Sequence, residues 1–255
     1  MTIAVILEQV PDVVEELAIA PSGNELDRDT VTYVLNEYDD HALEEALLLA
    51  EASGDEVIAI GIDTTGELDQ ALYTALAKGA KRAIKLVGEF EETWLSTRAT
   101  AEILAPILRD LAPRLVLTGV QAPDDLDGQL APILAALLGW PHASVVIGTE
   151  FSDGRLRARK ELWGGMTLLL ELDLPAILGI QAARQAPRYV PVSRVRQVMR
   201  EATIEEIDVE LPAQPSVAVE RLRLPEEASQ AELLTGSAAE IAERMIELLR
   251  TRGLL

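Results

Sequence analysis

Two short segments carry residue types suited to holding a small polar molecule. The longer reads Gly119-Val120-Gln121-Ala122-Pro123-Asp124-Asp125-Leu126-Asp127-Gly128-Gln129-Leu130 and lies between an apolar run and a stretch of helical periodicity. A glycine-bearing turn from strand to helix presents main-chain N–H groups, backed by the helix dipole, to an anion. This loop holds Asp124, Asp125 and Asp127, and no Lys or Arg occurs from Leu115 to Gly154. A phosphate here must be held by amides, by neutral side chains such as Gln129, or by a cation from outside. The same residues also suit an acidic helix-start loop with Asp127 as its N-cap. The shorter segment is Asn36-Glu37-Tyr38-Asp39-Asp40-His41. Asn36 and Asp39 stand at a helix start, where capping is the default role. An Asn with neighbouring main chain also supplies the paired donor and acceptor that an adenine edge needs.

Other chemistries lack their residues. The two histidines, His41 and His142, have no Cys or carboxylate at ligand spacing, so no metal is expected. There is no G-x-S-x-G, no phosphate-loop lysine motif, no G-x-G-x-x-G and no nucleophile with a positioned base. A reversal of charge stands out instead: Arg184, Arg188, Arg194, Arg196 and Arg200 crowd together, with no acid between Asp173 and Glu201. Arginine pairs bidentately with carboxylate or phosphate. The cluster fits a partner face, a cofactor phosphate, or internal pairing with the surplus acids.

The elements that must position these residues alternate in type. Strands are expected at Ile3–Leu7, Glu56–Gly61, Arg82–Val87 and Leu115–Gly119, and helices at 39–52, 68–78, 93–111 and 128–138. Pro106 falls inside the third helix. Short continuous apolar strands separated by amphipathic helices make a parallel sheet covered on both faces. Such sheets bind ligands beyond the carboxyl ends of their strands, here just after Leu7, Ile60 and Leu117. From Ala143 the texture changes: 144–151 and 156–162 read as a hairpin turning at Ser152-Asp153-Gly154, followed by strands at 166–172 and 176–180. These form an antiparallel or mixed extension of an α/β domain over residues 1–200. Beyond Arg200 the pattern thins. Pro212, Pro215 and Pro225 suit an extended arm over 201–255 that ends in a helix opened by the capping box Ser237-Ala238-Ala239-Glu240. The arm either docks on a partner or packs on its own domain.

Bulk composition excludes several classes. The chain has 255 residues, a formal net charge of −21 and no cysteine. Disulfides and thiolate chemistry are therefore absent, and nucleic acid and anionic membranes are poor partners. No stretch reaches the ~20 apolar residues that span a bilayer. The first residues read as a buried strand and not a signal peptide, and a cytoplasmic location is expected.

Taken in order, these segments resemble the beta subunit of electron transfer flavoproteins over about residues 1–200. The resemblance is carried by Asn36, Ala42, Glu44, Glu45 and Ala46, by Glu56-Val57-Ile58-Ala59 and by Gly79-Ala80. Its most specific piece is Gly119-x-Gln121-Ala122-x-Asp124-Asp125-x-x-x-Gln129, followed by Trp140-Pro141, Glu161-x-x-Gly164-Gly165, Leu174-Pro175-Ala176 and Pro187-Arg188-Tyr189. It implies a Rossmann-like adenine-nucleotide-binding fold that acts as an electron carrier, not a stand-alone enzyme, in a heterodimer with a larger alpha subunit. The beta subunit would bind AMP, or a second FAD as in bifurcating members, and would contribute to the pocket of a redox-active FAD held mostly by alpha. The implied nucleotide residues are Ile6, Asn36, Glu37, Tyr38, Asp39, Ile62 and the loop from Gly119 to Leu130. Glu161 would lie near the interface FAD, and Arg188, Tyr189 and Val192 would face partners. Donor dehydrogenases and a quinone reductase or another acceptor are the implied redox partners. Glu37 stands where a proline is common, Leu130-Ala131 where Thr or Val and then Gly are usual, and Trp163 where an aspartate is usual. Rival readings are a universal-stress-type nucleotide-binding regulatory module and an adenine-nucleotide hydrolase on the same fold.

Overall fold

The structure, a computed structural model, describes residues 1–90, 95–125, 127–212, 219–224 and 233–255. Thr93, Leu126, Pro215 and Pro225 of the sequence reading lie outside the described residues. In chain order the elements are β1 (Thr2–Ile6), β2 (Gln9–Pro11), β3 (Tyr33–Leu35), α1 (Glu37–Ser53), β4 (Glu56–Ile62), α2 (Asp69–Lys78), β5 (Arg82–Val87) and α3 (Thr97–Leu111). They continue with β6 (Leu115–Gly119), α4 (Leu130–Leu138), β7 (His142–Ser152), β8 (Arg155–Glu161), β9 (Thr167–Leu172), β10 (Ala176–Ile180), α5 (Val192–Glu201), β11 (Glu205–Asp208) and α6 (Ala238–Thr251). Two compact units result, residues 1–221 and 222–255.

Among the described residues the main sheet has nine strands in the order β11-β5-β4-β1-β6-β10-β7-β8-β9, and β2 and β3 form a separate antiparallel pair. All pairings from β11 through β7 are parallel, whereas β7–β8 and β8–β9 are antiparallel. The strand order reverses at β1. The chain moves outward from β1 through β4 to β5, then returns to lay β6 on the other side of β1. Adjacent crossovers on opposite faces leave a crevice at the carboxyl ends of β1 and β6, the switch point of a doubly wound sheet.

Two apolar layers close the sheet. Leu43, Leu47 and Leu49 of α1 and Leu72 of α2 pack with Ile3, Val5 and Leu117 on one face. Ile103, Leu104 and Leu108 of α3 and Leu134 of α4 pack with Ile58, Ile60 and Val116 on the other. β1, β4 and β6 bury both faces, which is why they read as unbroken apolar runs.

The structure departs from the sequence reading in four places. β10, expected within an antiparallel or mixed extension, enters the sheet in parallel between β6 and β7. Its five buried residues, Ala-Ile-Leu-Gly-Ile, match a strand covered on both faces. Residues 192–201, read as a cationic stretch with Val192 facing partners, form α5, which packs Val195 and Val198 inward beside α2. Residues 205–208, read as arm, pair with β5 and are held there by Lys85, which reaches Asp69 at 2.9 Å and Glu206 at 2.8 Å. Asp127 is not the N-cap of α4, which is Gln129. In the second unit, the capping box at Ser237 and Glu240 opens α6 as read.

Helix α1 carries acids on its buried face, and they fasten the far half of the fold. Glu45 is fully buried. One of its carboxylate oxygens accepts from the Thr149 N–H at 2.7 Å, the Thr149 hydroxyl at 2.6 Å and Arg184 Nε at 2.9 Å, and the other from the Arg184 N–H at 2.9 Å. The Thr149 N–H is free for this because β7 bulges between Val146 and Thr149 and leaves the ladder there. Glu44 takes the Arg188 guanidinium bidentately and its N–H at 2.9 Å. Removing one partner of such a buried pair strands the other. Glu45→Ala is expected to lower the unfolding free energy by about 3–5 kcal/mol, and Glu45→Gln by less, read from urea denaturation midpoints.

Candidate functional site

The switch point is built around one carboxylate. Asn36 is the N-cap residue of α1, and its first turn carries Glu37, Asp39 and Asp40, where negative charge favours the helix dipole. Asp39 points inward. Its Oδ1 accepts from the Gly119 N–H at 2.7 Å and its Oδ2 from the Glu8 N–H at 2.8 Å. One side chain thus ties the residue closing β6 to the chain leaving β1. Asn36 completes the clamp: its N–H donates to the Glu8 carbonyl at 2.9 Å and its side-chain amide donates to the Gln121 carbonyl at 3.0 Å. Expected as a capping residue, Asn36 makes no side-chain cap bond and spends its side chain across the crevice.

This approach is close enough to require a glycine. A Cβ at position 119 would stand 2.6 Å from the Asp39 carboxylate and 2.8 Å from Tyr38 Cβ. The loop beyond is held by its own acids. Asp125 accepts from the Ala122 N–H at 3.1 Å and from Thr97 Oγ1 at 3.1 Å, and Asp127 lies 2.7 Å from the same hydroxyl and accepts from the Gln129 N–H. Gly128 takes a left-handed φ of +58°, and a Cβ there would press on Gln121. At the start of α4, the amides of Leu130 and Ala131 have no carbonyl four residues back within the helix.

The electrostatics follow from burying acids together. Desolvation raises Asp39 from 3.8 to about 7, against the pull of its amide donors. Desolvation also raises Asp124 to about 6, with Asp125 beside it adding to the rise. Glu8 is pushed well up, first by desolvation and then by Asp124, Asp39 and Asp125.

The structure brings Asn36, Asp39, Gly119, Val120, Gln121 and Ala122 together, with Asp124 and Asp125 beside them. Glu37 and Tyr38 sit on the adjoining first turn of α1, and Pro123 is exposed on the loop. Ile6 and Ile62 end β1 and β4 but turn their side chains into the core, so only their main chain faces the edge. Glu161 lies at the far side of the sheet, at the end of β8, an exposed position paired with Thr167. Arg188 turns inward to Glu44 and Glu51, while Tyr189 and Val192 are exposed. Two participants went unread, Glu8 and Thr97. Glu8 follows directly on the first strand, where the topology rule points; Thr97 has no such local signal. Among the described residues no group of three or more His, Asp or Glu is placed to hold a metal, and no helix is long and apolar enough to cross a membrane.

Comparison with known proteins decides the family. The electron transfer flavoprotein domain model matches residues 24–212. The chain belongs to the electron transfer flavoprotein family. Its curated relatives carry the beta-subunit name. It is 32% identical to electron transfer flavoprotein subunit beta of Methylophilus methylotrophus, over 98% of both chains. It is 29% identical to the mitochondrial subunit beta of Oryza sativa subsp. indica, over 96% of this chain and 97% of the other. Against subunit beta of Bacillus subtilis strain 168 the identity is 26% over 99% of both. The match therefore spans the switch point, the hairpin and the arm of this electron transfer flavoprotein chain.

The pKa shifts set a direction for stability against pH. Asp39 in the folded chain holds its proton more tightly than in the unfolded chain, so its contribution is complete below about pH 3.8 and is lost as pH rises through about 7. Urea midpoints are expected to be higher near pH ~5.5 than near pH ~8, with Asp39→Asn showing a smaller difference across that window. Gly119→Ala is expected to destabilise by about 1–3 kcal/mol by displacing Asp39 from its two amides, measured in the same titration.

Proposed function

We propose that this chain is the beta subunit of a heterodimeric electron transfer flavoprotein, binding AMP at the β1/β6 switch point and completing, with an alpha subunit, the pocket of a redox-active FAD. The observation that carries the reading is the clamp of Asn36, Asp39 and Gly119 at the crevice of a doubly wound sheet in a chain of this family. The donor set fits an adenylate. Carboxylates and main-chain carbonyls at the rim suit the amino group and ribose hydroxyls, and the first-turn amides of α4 suit a phosphate. A second FAD in place of AMP is the alternative occupant. AMP is structural in this reading: it binds only the folded chain and so favours the native state.

The interface FAD, when bound, supplies the electron chemistry. The chain's own residues hold and shield it. Glu161 at the open end of β8 faces that pocket, and Tyr189 and Val192 offer exposed side chains to donor dehydrogenases or to an acceptor such as a quinone reductase. Arg188 keeps that segment seated on α1 through Glu44. The chain acts as a carrier subunit and not as an enzyme by itself.

Co-expression with an alpha subunit, followed by denaturation and quantitation of released small molecules by absorbance and mass, tests the assignment. One FAD and one AMP per heterodimer are expected. Two flavins and no AMP would overturn the AMP assignment, and full-rate reduction of an acceptor by the beta chain alone would overturn the division of labour.

A further inference from the structure

The bulge in β7 that frees the Thr149 N–H also makes room for two guanidinium groups. Between the paired positions Val146–Lys160 and Thr149–Ala158, β7 sets two residues, Ile147 and Gly148, against the single Arg159 of β8. The Cβ that Gly148 lacks would stand 2.9 Å from Arg184 Cγ and 3.1 Å from Arg159 Nη2. Side chains from β8 and from the segment after β10 therefore converge on one point beside the bulge, and a glycine leaves them the space.

The charges at that point are unbalanced. Asp and Glu number 43 against 22 Lys and Arg, so a basic side chain here has acids in plenty to pair with. Arg159 takes none: among the described residues it makes no hydrogen bond or ion pair. Glu150 and Glu171 on the flanking strands go to Arg157, at 3.6 Å and 2.9 Å, and Glu161, two residues on, is not within ion-pair distance of Arg159. Arg184 gives its Nε to Glu45 at 2.9 Å and keeps a third of its side chain exposed. Among the described residues its two terminal nitrogens make no bond. Two cationic forks this close repel each other. An oxyanion laid between them reverses that repulsion and accepts charge-assisted hydrogen bonds from both.

We propose that Arg159 and Arg184, converging beside Gly148, form a binding site for a phosphate group. Glu45 fixes the Arg184 side chain before any ligand arrives, and Arg159 brings an unengaged fork from the opposite strand. β10 and β7 lie between this site and β6, so it is separate from the switch point. The phosphate is either the free anion or part of the interface FAD, and only the second source rests on the flavin reading of Glu161.

Arginine-specific modification by phenylglyoxal, followed peptide by peptide by mass spectrometry, tests the site on the full chain. With a dissociation constant on the order of a few millimolar, ~20 mM inorganic phosphate is expected to slow modification of Arg159 and Arg184 about fivefold relative to chloride at equal ionic strength. Arg196 and Arg200, exposed on α5 and unpaired among the described residues, are expected to react equally fast in both salts. Arg159→Gln, at an exposed position, is expected to abolish the protection of Arg184. Equal rates at Arg159 in phosphate and chloride, or undiminished protection of Arg184 in Arg159→Gln, overturn the site and leave the adenylate and flavin readings standing. The heterodimer with alpha separates the two sources. Protection of Arg159 without added phosphate that disappears when FAD is removed assigns the site to the dinucleotide. Protection that requires added phosphate with FAD in place assigns it to the free anion. Protection in both states without phosphate puts a side chain of alpha there and overturns a phosphate occupant. A heterodimer that binds no FAD overturns the flavin reading alone, since inorganic phosphate still reports on the site.

Discussion

A carboxylate in the first turn of α1 ties together the two chain segments that flank the switch point of this sheet. Asp39 takes one amide from the end of β6 and one from the chain leaving β1, so a single side chain spans the point where the strand order reverses. Its position is tight because Gly119 has no Cβ to interpose, and Asn36 repeats the connection through the Glu8 main chain and the Gln121 carbonyl. The burial that makes these bonds strong also raises the cost of the charge, which appears as the upward shift of Asp39 to about 7. Stability and site geometry therefore share one interaction.

The same helix organises the other half of the domain through its next acids. Glu44 and Glu45 lie one turn beyond the clamp and receive Arg188 and Arg184 together with their main-chain amides. The arginine-rich segment follows strand β10, and its first part would otherwise be a solvated loop. Pairing its first two arginines to α1 leaves Tyr189 and the start of α5 exposed at a fixed place. A chain of net charge −21 thus pairs Arg184 and Arg188 with buried glutamates and carries Arg194, Arg196 and Arg200 on α5.

Much of the framework was legible in the residues. Strands β1, β4, β5 and β6 and their helices follow from apolar runs and helical periodicity, and the hairpin turn at Asp153 and Gly154 adopts the left-handed φ values its sequence demands. The edge where a ligand would bind follows from topology, since parallel strands send successive loops to one side. Less legible was the burial of Asp39, Glu44 and Glu45. Apolar spacing marks the buried face of a helix only where the neighbour is apolar, and here the neighbours are amides and guanidinium groups.

The amino-acid sequence by itself determined the alternating α/β architecture, the acidic surface, the glycines at the strand–helix turn and the family. Local preferences and hydrophobic periodicity act within a few residues and need no knowledge of the partner segment. Only the tertiary structure decided that β10 enters between β6 and β7, that residues 205–208 extend the sheet, that Thr97 braces the loop beyond β6, and that Asp39 and Glu8 meet at the switch point. Each of these depends on contacts between residues far apart along the chain, whose proximity is set by how the whole sheet packs and by no spacing that a linear pattern records.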